Sequence, residues 1–318
     1  MPESPESRTI AEKLRSRVKG KSFLWFELWG TNKYTPDIAR IWNDISGKFP
    51  STCLDIVCRG KQIYFYFENG LAFVSSLGLD GHWYHLTYEN RPAYLAGKNY
   101  AKFCLHFGKQ ISIVGTPVPM NMSEDELWYD DMIRYGNFNI MTWQGASQKM
   151  IEFGPDLLAT TTPFKDIHPI VQNALPAQFF VKATWESFWQ ELHAPRRGQM
   201  ELCKFLMKQE YFCGIGNYLK SEIMYRARIH PCRPIGTMTD SQIQVLFQTI
   251  LATITEAYQC GGLTHGTFLD PDMKTGNFPV YIYKRAGLRD PYGYLIQHLN
   301  KDTSPDKRGT YFVPEIQL

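Results

Sequence analysis

The sequence predicts an α+β protein: an N-terminal helix entering a β-sandwich domain, then a helical domain, then a β-hairpin finger. Three observations carry this prediction. Apolar residues recur at helical spacing over residues 6–18. From Phe23 to Trp143 the period drops to two, in short aromatic and β-branched runs. Beyond Gly154-Pro155-Asp156 the texture turns helical, until extended runs return at Phe278.

In chain order, Ile10, Leu14 and Val18 form one stripe of the first helix, which Gly20 ends. Strands are expected at Phe23–Trp29, Cys53–Cys58, Gln62–Glu68, Leu71–Ser76, Ala101–Phe107, Ile111–Val114 and Phe138–Trp143. Asn69-Gly70 is a hairpin turn signal, and Gly108-Lys109 a second. Thr184 caps a helix through Trp185, Phe188, Trp189 and Leu192, and another helix is expected from about Gln199 to Lys208. Gly214-Ile215-Gly216-Asn217 is a glycine-bounded turn opening a helix that stops before His230-Pro231, and a long helix from Asp240 to Tyr258 is stopped by Gly261-Gly262. The expected domains are residues 1–150, 151–265 and 266–318.

At 318 residues, 44% hydrophobic and 14% aromatic, the chain can bury two cores. No apolar run is long enough to span a membrane and no secretory signal is evident, so an intracellular site is expected: nucleus, cytoplasm or a viral replication compartment. Seven cysteines without disulfide-framework spacing read as reduced thiols, and neither Cys53 with Cys58 nor His230-Pro231-Cys232 supplies a zinc set. No cofactor or metal is expected. Gly-x-Ser-x-Gly, phosphate-loop and His-Glu-x-x-His motifs are absent, which leaves serine hydrolysis, NTP hydrolysis and zinc proteolysis unsupported. A net charge of +3 does not by itself specify nucleic acid.

Two stretches carry possible chemistry. Removal of Met1 would free the secondary amine of Pro2, a usable nucleophile near neutral pH, with the Glu3 carboxylate beside it for proton transfer. The same residues also read as a helix start, with Ser4 as N-cap, Pro5 at the first helical position and Glu6 at the positive end of the dipole. The Gly214–Asn217 turn reads either as a phosphate site, with Lys220, Arg226, Arg228 and Arg233 around it, or as an ordinary helix connection. Lys61, after Gly60, reads as a lysine at a sheet's end.

Pro2-Glu3-Ser4-Pro5-Glu6, Gly60-Lys61, Leu77-Gly78-Leu79-Asp80-Gly81, Asp131-Met132-Ile133-Arg134-Tyr135-Gly136 and Gly214–Pro231 resemble, in order, the formamidopyrimidine-DNA glycosylase / endonuclease VIII family. The Gly214–Pro231 segment resembles its helix-two-turn-helix. The resemblance implies base excision repair by a bifunctional DNA glycosylase and abasic-site lyase, a monomer acting on damaged DNA through a flipped base. Pro2 would form a Schiff base at the sugar, Glu3 would shuttle protons, and β,δ-elimination would cut the strand. Lys61 belongs to this catalytic set and would also hold phosphate; Glu6 would support it. Asn217, Lys220 and Arg308 would bind DNA. A non-catalytic DNA-binding protein is the alternative.

The departures refine what is implied. Most family members carry a four-cysteine zinc finger, but no cysteine follows Cys260; Arg289 and Tyr292 fall near the first two ligand positions and Val313 and Ile316 at the last two. Packing of Tyr292, Leu295, Tyr311, Val313 and Ile316 would hold a zincless finger like that of vertebrate or giant-virus endonuclease VIII-like members. Leu79 replaces a wedge methionine and Ile133 a void-filling arginine, leaving Leu79, Arg134 and Tyr135 as the void-filling candidates. A short Gly262–Pro279 segment favours oxidised pyrimidines and ring-opened purines as substrates.

Overall fold

The computed structural model describes residues 2–29, 33–87, 91–96, 100–109, 123–263 and 268–318. Met1, the strand expected at Ile111–Val114 and part of the Gly262–Pro279 segment lie outside them.

The first helix, α1 (Ser4–Val18), buries the expected Ile10, Leu14 and Val18 together with Ala11. Its N-cap is Glu3 rather than Ser4: the Glu3 N–H donates to Glu6 Oε2 at 2.8 Å, the reciprocal arm of a capping box. Strands follow at β1 (Ser22–Leu28), β2 (Ser51–Arg59), β3 (Gln62–Phe67), β4 (Leu71–Ser76), β5 (Gly81–Leu86), β6 (Ala101–Gly108), β7 (Asp125–Asp131) and β8 (Asn137–Thr142). They pair antiparallel in the order β5-β7-β6-β1-β2-β3-β4-β8, and β1 meets β2 only at Ser22–Thr52 and Phe23–Ser51. The two four-stranded halves therefore fold over one another as the expected sandwich. Its core is aromatic: Phe103 meets Phe138 at 4.6 Å between ring centroids and Phe67 meets Phe107 at 6.5 Å. The Asn69-Gly70 turn joins β3 to β4, with Gly70 at φ +82°.

Helix α2 (Thr35–Ile45) and strands β5 and β7 went unrecognised in the sequence, as did the short α3 (Arg91–Ala96). Strand β7 hides because four of its seven residues are acidic, yet all are buried. Glu126 accepts from Arg91 and from Trp128 Nε1, and Asp125 from Lys21 and His85. Only tertiary partners make such a strand stable.

Beyond the sandwich come α4 (Trp143–Ile151), α5 (Leu157–Thr161), α6 (Pro169–Ala174), α7 (Trp185–Leu192), α8 (Leu202–Met207), α9 (Asn217–Arg226) and α10 (Asp240–Gln259). Thr184 caps α7 through the Ser187 N–H, as expected, and Gly261 and Gly262 follow α10 at φ +72° and +93°. Leu202, Leu219, Ile223, Leu246, Ile250 and Ile254 centre this second core. The finger hairpin is β9 (Gln297–Leu299) with β10 (Thr310–Phe312). Among the described residues no helix is long and apolar enough to cross a membrane.

The finger core is Tyr225, Ile282, Ile296 and Val313, with Tyr311 and Ile316 packed against it. Tyr292 and Leu295, expected in that core, are 65% and 46% exposed. Asp290 fixes the turn at residues 290–294, accepting from the Tyr292 and Tyr294 N–H groups and from the Tyr225 hydroxyl. With apolar packing and no cysteine, these residues do not fit a zinc ion.

Candidate active site

Three elements meet at the N-terminus of α1. The Ser4 N–H donates to the Gly214 carbonyl at 3.1 Å, which seats the start of the chain on the glycine turn before α9. Glu3 then faces the free N–H groups of that helix. Its Oε1 accepts from Tyr218 N at 2.8 Å, and its Oε2 from Gly216 N at 2.6 Å and Leu219 N at 3.2 Å. The helix N-terminus thus holds a carboxylate of this chain, not the phosphate that the turn suggested. Gly216 is required by contact: a Cβ there would lie 2.3 Å from Glu3 Cδ.

Burial pushes the Glu3 carboxyl up to about 7, opposed by the positive charge of Lys61 and reinforced by Glu6. The N–H groups of Tyr218 and Gly216 also oppose the rise. Lys61, at the β2–β3 turn, is lowered by burial and by Arg308, against the pull of Glu3. Glu6 is raised by burial; its Oε1 accepts from the Tyr218 hydroxyl at 2.8 Å and from Leu263 N at 2.9 Å. A proton can therefore reside on Glu3 near neutral pH, which suits a group that must both give and take one.

In front of Glu3, Pro2 and Lys61 line a cavity of about 320 Å³ whose other walls include Leu79, Tyr135, Gln209 and Arg308. The expected residues from three distant stretches thus converge. Leu79 and Tyr135 stand on loops that touch, since a Cβ on Gly78 would lie 2.4 Å from the Tyr135 carbonyl. Arg134 adopts φ +60°, held by its N–H on Asp131 Oδ1 at 2.8 Å, and its side chain is exposed beside Ile133 and Tyr135.

The DNA-binding expectation for Lys220 changes. Lys220 is fully buried, paired with Asp306 and donating to Thr310 Oγ1 at 2.7 Å, so it cannot meet a phosphate at the surface. It holds the finger loop that carries Arg308. Asn217 is half-buried and donates to the Gly309 carbonyl at 2.8 Å, next to Arg308. Of the neighbouring arginines, Arg226 pairs with Glu256 and Arg233 donates to Thr237, Gln242 and the Leu318 carbonyl, whereas Arg228 is exposed.

Sequence reasoning missed Gln209 and Tyr218. The Gly-Ile-Gly-Asn-Tyr run contains Tyr218, but nothing local reveals that its N–H and hydroxyl serve two glutamates more than 200 residues away.

The formamidopyrimidine-DNA glycosylase N-terminal domain model matches residues 1–138 and the formamidopyrimidine-DNA glycosylase H2TH domain model residues 176–268, together more than two thirds of the chain. Formamidopyrimidine-DNA glycosylases of Exiguobacterium sp. and Lactobacillus gasseri are each 25% identical to it, covering 100% of this chain and 99% of the relative. Among solved structures, Lactococcus lactis Fpg in complex with abasic-site DNA aligns with a TM-score of 0.76 at 18% identity over 99% of each chain. A point variant of that protein with Fapy-dG DNA aligns at 0.73, with 19% identity over 99% of each chain. From its first helix to the turn that holds Glu3, the chain belongs to the formamidopyrimidine-DNA glycosylase family, a family of DNA-repair enzymes.

Proposed function

We propose that this chain is a bifunctional DNA glycosylase and abasic-site lyase acting on damaged DNA. The observation that carries the reading is Pro2 at the wall of a cavity shared with Lys61 and Arg308, backed by a buried Glu3 that can hold a proton near pH 7. With Met1 removed, the Pro2 amine attacks the sugar's anomeric carbon. The sugar's ring oxygen takes a proton from Glu3, the glycosidic bond breaks and the base leaves with its electron pair. The amine loses its proton, its lone pair expels the protonated ring oxygen as the C1′–O4′ bond breaks, and the resulting open-chain iminium acidifies the adjacent sugar C–H. Loss of that proton expels the 3′ phosphate, and a second elimination expels the 5′ phosphate. Lys61, Asn217 and Arg308 hold flanking phosphates, while Leu79, Arg134 and Tyr135 fill the space left by the flipped nucleotide.

The substrates proposed are formamidopyrimidines, the lesion that names the bacterial relatives, and oxidised pyrimidines. The absence of cysteine beyond Cys260 and the apolar finger core support an endonuclease VIII-like, zincless subtype.

Borohydride trapping on abasic-site and formamidopyrimidine duplexes tests the chemistry. A covalent complex is expected with protein whose intact mass places Pro2 at the terminus, and none with Pro2→Gly carrying an acetylated amine. Absence of trapping by the processed wild-type protein refutes the proposal.

A further inference from the structure

Gln209, in the bend after α8, lines the same cavity as Pro2, yet its carboxamide is engaged with backbone on every side. Its Oε1 accepts from Gly214 N at 3.1 Å, and its Nε2 donates to the Ile215 carbonyl at 2.9 Å and the Met207 carbonyl at 3.1 Å. Both of its strong donor directions are used, so it has little to offer a substrate. What it braces is the turn whose Gly214 carbonyl receives Ser4 N and whose Gly216 and Tyr218 N–H groups hold Glu3.

The main chain of the same residue reaches the other half of the site. The Gln209 carbonyl accepts from Gly154 N at 3.0 Å, and the Gly154 carbonyl accepts from Arg59 Nη2 at 2.7 Å. Arg59 is buried at the end of β2, two residues before Lys61, and Gly60 N is tied to Asp156 Oδ2 at 2.6 Å in the same linker. One residue thus connects the turn that holds Glu3 to the linker that clamps the Lys61 turn. A half-buried amide with matched partners on both sides of a turn fixes geometry more tightly than apolar packing, because slippage leaves several groups unpaired.

We propose that Gln209 is a positioning residue that couples the Glu3 turn to the Lys61 turn and so sets the geometry in which Pro2 reacts. The inference rests on the glycosylase and lyase reading above. Loosening the turn relaxes the N–H groups that oppose the rise of the Glu3 carboxyl, while the charges and hydroxyls facing it stay: Glu6 on α1, Lys61 with Arg308 behind it, Tyr218 on α9 and Tyr283.

Single-turnover rates and borohydride trapping across pH 5–9, with binding to an abasic-analogue duplex, provide the test for Gln209→Ala and Gln209→Glu beside wild type. Misplacement of the reacting groups by an ångström costs about 100-fold in rate, so Q209A is expected to slow chemistry by about that factor with duplex affinity little changed. The limb of the pH profile that reports Glu3 should move to higher pH. Q209E keeps an acceptor for Gly214 N, loses both donors and adds negative charge in the cavity. It should show the same limb shift even if Q209A folds poorly. Wild-type rates in the variants, or slowed rates with an unmoved limb, overturn the inference. Failure of wild type to trap overturns the functional reading instead.

Discussion

Glu3 directs its carboxylate at three backbone N–H groups and is still driven up to about 7, because burial outweighs the donors and the nearby Lys61. That shift has a cost in stability. The folded state favours protonated Glu3, so its contribution is fully present below the ordinary carboxylate range near 4.5 and is lost as pH rises through about 7. Urea denaturation of wild type and Glu3→Gln at pH 5 and pH 8 measures this. Wild type should lose ground to the variant between the two pH values by up to about 3 kcal/mol, the linkage equivalent of the shift. A difference that does not change with pH would show that Glu3 ionises normally. The residues at this scale were legible in part: Pro2, Glu3, Glu6 and Lys61 stand in short motifs, whereas Gln209 has no motif and acts through backbone groups of a turn several residues on.

Helix α9 shows why an element's surface cannot be read from charge alone. Asn217, Lys220, Ser221 and Glu222 look like an exposed polar face, yet Lys220, Ser221 and Glu222 are fully buried. Glu222 accepts N–H groups of Tyr281, Ile282 and Tyr283, and Lys220 anchors the loop of Asp306 and Thr310. The helix is thus the bed on which the finger is mounted. Lys220→Met leaves Asp306 buried without its cation, and loss of one partner of such a pair costs about 3–5 kcal/mol. Thermal unfolding should register the loss, and limited proteolysis should open first around residues 300–310. A Tm within a degree of wild type would show that the pair contributes nothing net. Apolar periodicity foretold α1 and α10, and Thr184 foretold α7; β7 stayed hidden because its acids find partners from elsewhere in the chain, Asp125 in Lys21 and His85, Glu126 in Arg91, Asp130 in Tyr94 and the Tyr100 N–H, and Asp131 in Tyr34.

Across the whole molecule, the site is a seam. The sandwich supplies Pro2, Glu3 and Lys61, the helical domain supplies the α9 N-terminus, and the finger brings Arg308 to the same cavity. Arg308 is exposed and stands beside Asn217's partner Gly309, a placement suited to a phosphate. Arg308→Ala should weaken duplex binding about equally for damaged and undamaged DNA and lower the slope of log affinity against log salt by about 1. Titrations across a several-fold range of salt would decide this, and an unchanged slope would remove Arg308 from the phosphate contacts.

The sequence by itself determined the α+β class, most strands and long helices, the family resemblance and, among the residues around the cavity, Pro2, Lys61, Leu79, Tyr135 and Arg308. These follow from local periodicity, turn chemistry and short motifs. Only the tertiary structure decided that the α9 N-terminus binds Glu3, that Lys220 faces inward, that Tyr292 and Leu295 stay outside the finger core, and that Gln209 braces the site. Each of those depends on which groups lie opposite in space. A charge or an amide becomes structural or functional according to partners that the linear order does not place beside it.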